Sequence, residues 1–260
     1  MWLNLAAIEE RLGTNFVGRR IVYLTSTGST MDDARREAEA GATEGTTVLA
    51  EEQTKGRGRF DRTWVSPAGK NLYLTLIMRP PLNRLRSLSV VAPLAVALAV
   101  EDVTRLKPRI KWPNDVLIGG RKLSGILIES EISGSAVEYA LVGAGINVNF
   151  EVEQSPEIAS IATSIKRELG HESSREELLA GFLNHFEALH EDGVKSDAVL
   201  QKWRSRLDTL GREVRVTFGD QIYEGTAEDV DRDGNLILVQ SDGTKRSVEA
   251  GEVSLRSSPP

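Results

Sequence analysis

The sequence predicts an α+β fold, in which a mixed, largely antiparallel sheet is backed by helices and followed by a small all-β module. Strand-like segments come in hairpin-like runs instead of alternating strictly with helices, and this order disfavours a doubly wound parallel sheet. After Gly211 the helical pattern gives way to short strands separated by glycine-containing turns, as in a small β-barrel. A chain of 260 residues fits one large and one small domain, which we place at residues 1–208 and 209–260.

The N-terminal part of the chain is predicted to contain helices and strands in turn. Asn4 can cap the first helix and Ser29 the second, because a side-chain oxygen at that position accepts from the free amides of a helix start. Asp32 and Asp33 then lie in a first turn, where the helix dipole favours anions. The predicted elements are a helix over Asn4–Leu12, a strand over Arg20–Leu24, a helix from Thr30 to Gly41, a strand over Thr46–Glu51, a polar loop over Glu52–Gly69 and a strand over Asn71–Met78.

The rest of the chain is predicted from apolar spacing and turn signals. Leu85–Leu106 has helical spacing, with Pro93 near its first turns, and the pattern is helical again from Pro156 to Leu207. One helical face there carries Leu178, Leu179, Phe182, Leu183, Phe186 and Leu189. The predicted strands are Arg109–Trp112, Asp115–Ile118, Lys122–Glu131 and Val137–Val148, with a Gly119-Gly120 turn, and then Glu213–Phe218, Gln221–Val230, Asn235–Gln240 and one around Ser247–Val253.

The composition excludes several classes of site. No cysteine is present, which excludes disulfide scaffolds, cysteine zinc sites and thiol nucleophiles, and three histidines leave little for a metal centre. The net charge of −6 argues against a globally basic nucleic-acid binder. The N-terminus lacks a cationic signal start, and the longest apolar run, Val90–Val100, is shorter than the ~20 residues of a membrane span. We therefore expect a soluble, cytoplasmic protein with no membrane partner.

A basic, glycine-rich segment, Gly56-Arg57-Gly58-Arg59, lies in the long polar loop and is flanked by Lys55 and Arg62. Glycines let the backbone approach a ligand closely, and guanidinium groups grip carboxylate or phosphate oxygens as a fork. The segment is not a Walker loop, since GxxxxGK[ST] is absent. The alternative is a solvated surface loop, with Trp64 packed back onto the core rather than over a flat ligand.

Two further candidates lie on adjacent predicted strands. The segment Lys111-Trp112-Pro113-Asn114-Asp115 offers an amide and a carboxylate at a strand end, although an ordinary turn would also explain it. Lys122 begins an apolar strand and can place its ammonium over a pocket floor, or it can simply protect a strand edge. Gly125 in the same strand indicates a bulge or a close backbone approach to a ligand.

The last two candidates are the segment Gly143–Asn149 and the pair Ser29-Thr30. Two glycines close together in a buried strand weaken it, so a close contact is expected there, either with a ligand or with a neighbouring element. Asn147 and Asn149 would share one face. Ser29 and Thr30 are a helix cap by default, and the alternative is that this helix start binds a polar ligand head.

Taken together, the candidates describe a site with fixed cations and backbone amides but few general bases and no nucleophile of its own. Such a site suits reactions in which the substrates bring their own nucleophiles. Phosphoryl or adenylyl transfer is the leading case, because catalysis there is mostly positioning and charge stabilisation.

The motifs, in their order and spacing, resemble those of the biotin–protein ligase family from about residue 20 to residue 256. They are STMDDA (29–34), EEQTKGRGR (51–59), TWVSPAGKNLYLTLIMRP (63–80), KWPNDVLI (111–118), RKLSGILIE (121–129), GAGINVN (143–149) and a C-terminal segment that begins GREV and ends AGEVSL.

This resemblance implies a catalytic domain like that of class II aminoacyl-tRNA synthetases, followed by a small SH3-like β-barrel. It also implies a two-step reaction. Biotin's carboxylate attacks the α-phosphate of ATP, with Mg²⁺, to give biotinyl-5′-AMP and pyrophosphate. The amine of one lysine on a biotin carboxyl carrier domain then attacks the acyl carbon, and AMP leaves.

The resemblance also implies roles for individual residues. The biotin-site residues it implies are Ser29, Thr30, Met31, Gln53, Gly56, Arg57, Gly58, Arg59, Lys122 and Gly125. The nucleotide-site residues are Trp64, which would help cover the adenine, and Lys111, Asn114 and Asn147. The catalytic residues are Arg57, Arg59, Lys122 and Asp115, whereas the ligands of the metal are not indicated.

The chain departs from the family pattern in two places. Many members carry an acidic residue before the Ser-Thr pair, where this chain has Gly28. Bifunctional members carry an N-terminal DNA-binding domain, whereas only about 20 residues precede the first predicted strand here, so we expect a short form that does not bind DNA. The alternatives are a lipoate–protein ligase, a DNA-binding regulator and a pure binding module. A homodimer formed through an exposed sheet edge is compatible with the sequence.

Overall fold

A computed structural model describes residues 2–192, 197–249 and 251–255. The helices and strands before the central hairpin are α1 (Leu5–Glu9), β1 (Ile21–Leu24), α2 (Thr30–Glu39), β2 (Thr47–Ala50), β3 (Leu72–Met78), α3 (Leu82–Leu85) and α4 (Leu88–Thr104). Both predicted caps form, since the Asn4 side chain accepts from the Ala7 amide and that of Ser29 from the Met31 amide. The first helix ends three residues earlier than its predicted end at Leu12, because the chain tightens and the Leu12 amide donates to the Glu9 carbonyl.

The remaining elements follow the predicted order. They are β4 (Arg109–Lys111), β5 (Asp115–Ile118), β6 (Arg121–Ser133), β7 (Ala136–Ile146), α5 (Ile165–Leu169), α6 (Arg175–Asp192), α7 (Asp197–Arg204), β8 (Glu213–Phe218), β9 (Gln221–Val230), β10 (Leu236–Val239), β11 (Lys245–Val248) and β12 (Glu252–Leu255). The prediction of helix from residue 156 is wrong up to residue 164. That segment forms turns and pairs with a strand instead: Lys122 donates its amide to the Ile161 carbonyl, and the Thr163 amide donates to the Lys122 carbonyl.

The large sheet has seven strands in the order β1-β2-β3-β7-β6-β5-β4. Among the described residues its one parallel pair is β1–β2, and its other pairs are antiparallel. The prediction of a mixed, largely antiparallel sheet is therefore confirmed. The long β6–β7 hairpin places Gly125 opposite Gly145, and β3 places Thr75 opposite Gly143.

The sheet separates two apolar layers. On one face, α4 and α6 form the larger core with alternate residues of the central strands, among them Leu74 and Val142. The predicted helical face of α6 is buried there, as expected. On the other face, α2 packs Met31 and Ala34 against Ile77. Residues 82–104 have the length and apolar composition to cross a bilayer, but 67% of an 18-residue apolar stretch within them is buried inside the fold.

A buried ion pair ties the N-terminal segment, the end of β2 and the start of α6 together. Arg175 Nη1 lies 2.7 Å from Glu51 Oε2, and the two side chains are 5% and 0% exposed. Glu51 Oε1 also accepts from the Tyr23 hydroxyl and the Leu3 amide, each at 2.6 Å. Burial alone would raise the pKa of Glu51, but the hydrogen bonds from Arg175 and Tyr23 outweigh it and hold that pKa below its usual value.

The C-terminal sheet has five antiparallel strands in the order β11-β10-β9-β8-β12. One strand was predicted around Ser247–Val253, and the structure corrects this to two, β11 and β12. Gly251 stands between them, at a close approach where a Cβ would come within 2.4 Å of Val216 Cγ1. Within the described residues β11 and β12 share no ladder, so closure of this sheet into a barrel stays a prediction. The two sheets are joined through Trp112, whose indole N–H donates to the Gly234 carbonyl at 2.9 Å.

Candidate active site

A cavity of about 550 Å³ opens on the α2 side of the large sheet. Its walls come from the start of α2, the loop after β2, the turn between β4 and β5, strands β6 and β7, the turns at 158–162 and residues 251–253. All predicted site residues except Gly56 line this cavity. The sequence therefore identified residues that lie far apart in the chain and come together in one place.

Gly56 instead closes the basic loop. The Trp64 amide donates to the Gly56 carbonyl at 2.9 Å, and the Gly58 amide donates to the Arg62 carbonyl at 2.7 Å. A Cβ on Gly56 would lie 2.5 Å from the Trp64 carbonyl oxygen, so no larger residue fits there without a shift. The glycines of this loop thus bring two stretches of backbone together and turn its arginines toward the cavity.

The two arginines of the loop have different partners. Arg57 Nη1 lies 2.8 Å from Asp32 Oδ1, in the first turn of α2, and Arg57 Nε lies 3.6 Å from Glu129 Oε1 on β6. Arg59 Nη1 donates to Asn114 Oδ1 at 3.1 Å. Burial lowers the pKa of Arg59, and the nearby carboxylates offset part of that effect. Both cations are therefore held in position before any ligand binds.

Lys122 and Asp115 form an ion pair in the cavity wall, with Nζ and Oδ1 2.6 Å apart. Asn114, the neighbour of Asp115, donates its amide to the Ile126 carbonyl at 2.6 Å and thereby fixes the turn against β6. The Lys122 ammonium also lies 5.4 Å from the centre of the Trp64 ring. The predicted catalytic lysine and carboxylate thus contact each other directly.

Trp64 lies over the glycines of the β6–β7 hairpin. A Cβ on Gly145 would come within 2.4 Å of the indole ring, and a Cβ on Gly125 within 3.2 Å of it. On the same face, a Cβ on Gly143 would come within 2.7 Å of the Met31 sulfur. The close contact expected at these glycines is present, but it is made by the protein's own side chains. Gly125 itself lines the cavity, and a close approach of a ligand to its backbone stays a prediction.

The two asparagines after β7 hold neighbouring segments. Asn147 is buried, donates to the Thr163 carbonyl at 3.0 Å and accepts from the Asn71 amide group. Asn149 exchanges hydrogen bonds with Ser173 and does not line the cavity. Lys111 lines the wall at the end of β4.

Sequence reasoning missed three parts of the site. The turns at 158–162 and the segment 251–253 complete the wall, and Arg62 of the loop after β2 pairs with Glu252 of the C-terminal sheet. Ser66 and Thr75 lie behind the wall and hydrogen-bond to residues that line it. The one signal for Thr75 is its polar side chain within the largely apolar strand LYLTLIM, since a polar group in a fully buried strand needs a hydrogen-bond partner.

The arrangement favours electrostatic chemistry. The cavity gathers cations that can face anionic oxygens, whereas the described residues contain no cluster of three or more His, Cys, Asp or Glu side chains suited to a metal ion. Fixed positive charges in a partly buried site stabilise charge that develops during group transfer.

Comparison with known proteins supports this description. Residues 21–147 match the model of the Biotin/lipoate A/B protein ligase family, and residues 209–256 match that of the Biotin protein ligase C terminal domain.

Similar full-length proteins include the bifunctional ligase/repressor BirA of Bacillus subtilis, which is 33% identical over 95% of this chain and 78% of its own length. The biotin--[acetyl-CoA-carboxylase] ligase of Paracoccus denitrificans is 36% identical over 88% of this chain and 98% of its own length. A structure of a biotin protein ligase from Aquifex aeolicus in complex with biotin and ATP superposes with a TM-score of 0.79 and 32% identity, covering 92% of this chain and 100% of that one.

Proposed function

Because this chain belongs to the biotin/lipoate A/B protein ligase family, we infer that it is an ATP-dependent biotin–protein ligase. Such an enzyme attaches biotin to the carrier protein of a biotin-dependent carboxylase. One observation carries the proposal for the site: a single cavity brings together Thr30, Gln53, Arg59 and Lys122, which the chain separates widely.

In the first step, an oxygen of the biotin carboxylate attacks the α-phosphorus of ATP. A carboxyl–phosphate bond forms, the bond to the β-phosphate breaks, and pyrophosphate leaves with biotinyl-5′-AMP as the second product. Two anions must approach each other, so the step needs positive charge along the path. We assign this role to Lys122 and Arg59, with Arg57 holding the loop against α2 through Asp32.

The two ends of the cavity suit the two substrates. Ser29, Thr30 and Gln53 form the uncharged polar end and fit the ureido ring of biotin, beside Met31. Lys111, Asn114 and Asp115 also line the cavity, and we place the nucleotide beside them. Trp64, packed on the hairpin glycines, offers a flat apolar surface to either ring system.

Magnesium fits this site as part of the substrate MgATP. The lining carboxylates are Asp115 and Glu252, paired with Lys122 and Arg62 respectively. Mg²⁺ usually binds through one or two carboxylates plus substrate phosphates and keeps several waters. We therefore propose that the ion is held mainly by the phosphate oxygens, where it would neutralise charge on the leaving pyrophosphate.

In the second step, the carrier lysine amine attacks the acyl carbon; a carbon–nitrogen bond forms, the carbon–oxygen bond to AMP breaks, and the amine gives up a proton. We propose that Asp115 accepts a hydrogen bond from the incoming ammonium or helps it lose its proton. Asp115→Asn should then slow transfer from preformed biotinyl-5′-AMP in single-turnover assays. An unchanged transfer rate would remove Asp115 from this step.

Several wider expectations are proposals that rest on the sequence. We propose that the catalytic and C-terminal domains divide at residues 208 and 209, that the C-terminal sheet is an SH3-like barrel, and that the catalytic domain is of the class II synthetase type. We also expect cytoplasmic localisation and no DNA binding, which the net charge of −6 supports. We propose that a homodimer would use an exposed sheet edge; among the described residues, the edge strand β1 pairs only with β2.

Transfer of labelled biotin onto a recombinant carrier domain, with and without ATP, tests the function. We expect ATP-dependent labelling that Lys122→Ala abolishes. Lys166→Ala is the matched control, because Lys166 also pairs with a carboxylate, Glu151 at 2.8 Å, and lies outside the cavity. Labelling by lipoate in place of biotin would show the other branch of the family, and equal activity of both lysine variants would contradict the assigned site.

A further inference from the structure

Behind the polar end of the cavity runs a chain of hydrogen bonds that ends on the basic loop. The Thr75 hydroxyl donates to Thr30 Oγ1 at 2.9 Å, and Thr30 Oγ1 donates to Gln53 Oε1 at 3.1 Å. Gln53 Nε2 donates to Ser66 Oγ at 3.0 Å, and Ser66 Oγ donates to the Trp64 carbonyl at 2.9 Å. Thr75, Thr30 and Ser66 are buried.

The direction of every bond in this chain is fixed by its two ends. A carbonyl oxygen can only accept, so Ser66 must give its single hydrogen to Trp64 and must accept from the amide nitrogen of Gln53. The Thr30 backbone N–H, 3.0 Å from Gln53 Oε1, independently requires an oxygen at the other end of that amide. Thr30 then gives its hydrogen to Gln53 and accepts from Thr75.

This direction determines what the cavity offers to a ligand. Both lone pairs of Gln53 Oε1 are used by Thr30, while one hydrogen of Gln53 Nε2 is not used within the chain. Thr30 Oγ1 retains one lone pair. Both residues line the cavity, so an N–H donor and an oxygen acceptor stand side by side there. A cyclic urea presents the complement, a carbonyl acceptor beside N–H donors.

We propose that Thr75 and Ser66 are positioning residues for biotin recognition: Ser66 accepts from the Gln53 amide and Thr75 donates to the Thr30 hydroxyl, and these bonds hold both groups where they match the ureido group. This inference rests on the proposed function. Neither residue lines the cavity, so both act through Gln53 and Thr30 rather than by contact with biotin. Without Ser66 the Gln53 amide nitrogen loses an acceptor, and without Thr75 the Thr30 hydroxyl loses a donor, so each group is held by fewer hydrogen bonds and can move away from the position that suits biotin.

The test compares Michaelis constants in the carrier-labelling assay for the full chain and for Thr75→Val, Thr75→Ser and Ser66→Ala. Thr75→Val keeps the shape of the side chain and removes the hydroxyl, whereas Thr75→Ser keeps the hydroxyl. Thr47→Val is the matched control, because Thr47 is a fully buried threonine of the same sheet whose hydroxyl bonds to the Gly45 carbonyl, away from the cavity. Thermal unfolding of each variant checks that it is folded.

We expect Thr75→Val and Ser66→Ala to raise the KM for biotin by about five- to tenfold, the value of one oriented hydrogen bond, with KM for ATP and kcat within about twofold. The KM for desthiobiotin, which keeps the cyclic urea, should rise by the same factor in both variants. Thr75→Ser should have the same biotin KM as the unaltered protein. If Thr75→Val or Ser66→Ala does not fold, the biotin KM of the other variant tests the proposal.

The proposal is overturned if both variants keep the biotin KM of the unaltered protein, if KM for ATP rises as much as that for biotin, or if Thr47→Val has the same effect. These outcomes leave the proposed function intact, since the unaltered protein still labels the carrier. Failure of the unaltered protein to use biotin would refute the function itself, and the positioning role with it.

Discussion

At the residue scale, we propose that Arg59 both promotes formation of the adenylate and retains it. Its guanidinium lies against Asn114 at the cavity wall, where burial makes it a stronger electrostatic partner for a phosphate than an exposed arginine would be. The adenylate is an anion, and the charge that promotes its formation should also retain it.

Arg59→Ala should therefore loosen the bound intermediate. We expect biotinyl-5′-AMP to leave the enzyme roughly ten- to hundredfold faster, as for loss of a charge-assisted hydrogen bond. Release of radiolabelled adenylate through a rapid filter measures this rate. Arg20→Ala is the control, since Arg20 pairs with Glu37 on the surface and lies outside the cavity. Equal release rates for both variants would refute the role.

His190 predicts a pH dependence of stability. It is buried against Phe186, and this burial lowers its pKa below 6.5. The unfolded chain therefore binds a proton more readily, so stability is full above about pH 6.5 and declines as the pH falls through the range between the two pKa values.

His190→Phe should reduce the dependence of the free energy of unfolding on pH between about pH 6.5 and pH 5, measured by urea titration at each pH. His171→Asn, at an exposed histidine, should leave the slope unchanged. A slope that persists in His190→Phe would assign the pH dependence to other groups.

At the scale of elements, the glycines of the β6–β7 hairpin leave room for the Trp64 side chain that lies over them. Gly145→Ala would place a methyl group 2.4 Å from the Trp64 ring, so either the strand or the tryptophan must move. We expect the free energy of unfolding to fall by about 1 to 3 kcal/mol, and carrier labelling to fall with it.

Gly13→Ala is the matched control for this substitution, because Gly13 is exposed and the nearest atom to an added Cβ lies 3.8 Å away. It should change stability by less than about 0.5 kcal/mol. If Gly145→Ala kept the stability and activity of the unaltered protein, the close packing of Trp64 on the hairpin would contribute to neither.

The sequence predicted the elements well where periodicity and turns agreed, as in α6 and the β6–β7 hairpin. It did not predict the turns at 158–162, because their apolar residues fit a helical pattern and only the tertiary pairing with Lys122 decides their conformation. The glycines, the arginines and Lys122 stood out because they break the local rules of a strand or loop, whereas Met31 and Gln53 were implied only by the family resemblance. Sequence reasoning missed Ser66 and Thr75, since their role depends on partners that only the folded chain brings near.

At the scale of the whole molecule, the Glu51–Arg175 pair joins the N-terminal segment, the sheet and the helical layer. Arg175→Met would leave the Glu51 carboxylate buried without its cation. We expect a loss of about 3 to 5 kcal/mol in the free energy of unfolding, measured by urea titration. Arg20→Met removes a surface ion pair instead and should cost less than about 1 kcal/mol. Similar losses in both would show that the buried pair has no special part in the fold.

We propose that biotin and the nucleotide bind together in the one cavity whose lining includes Lys122 and Arg59. A crystal structure of the protein with biotin and a non-hydrolysable ATP analogue measures this most directly. We expect the ureido ring to lie against Thr30 and Gln53, and the biotin carboxylate and α-phosphate to lie within reach of Lys122 and Arg59. Ligands bound elsewhere, or an empty cavity in crystals of active enzyme at saturating concentrations, would contradict it.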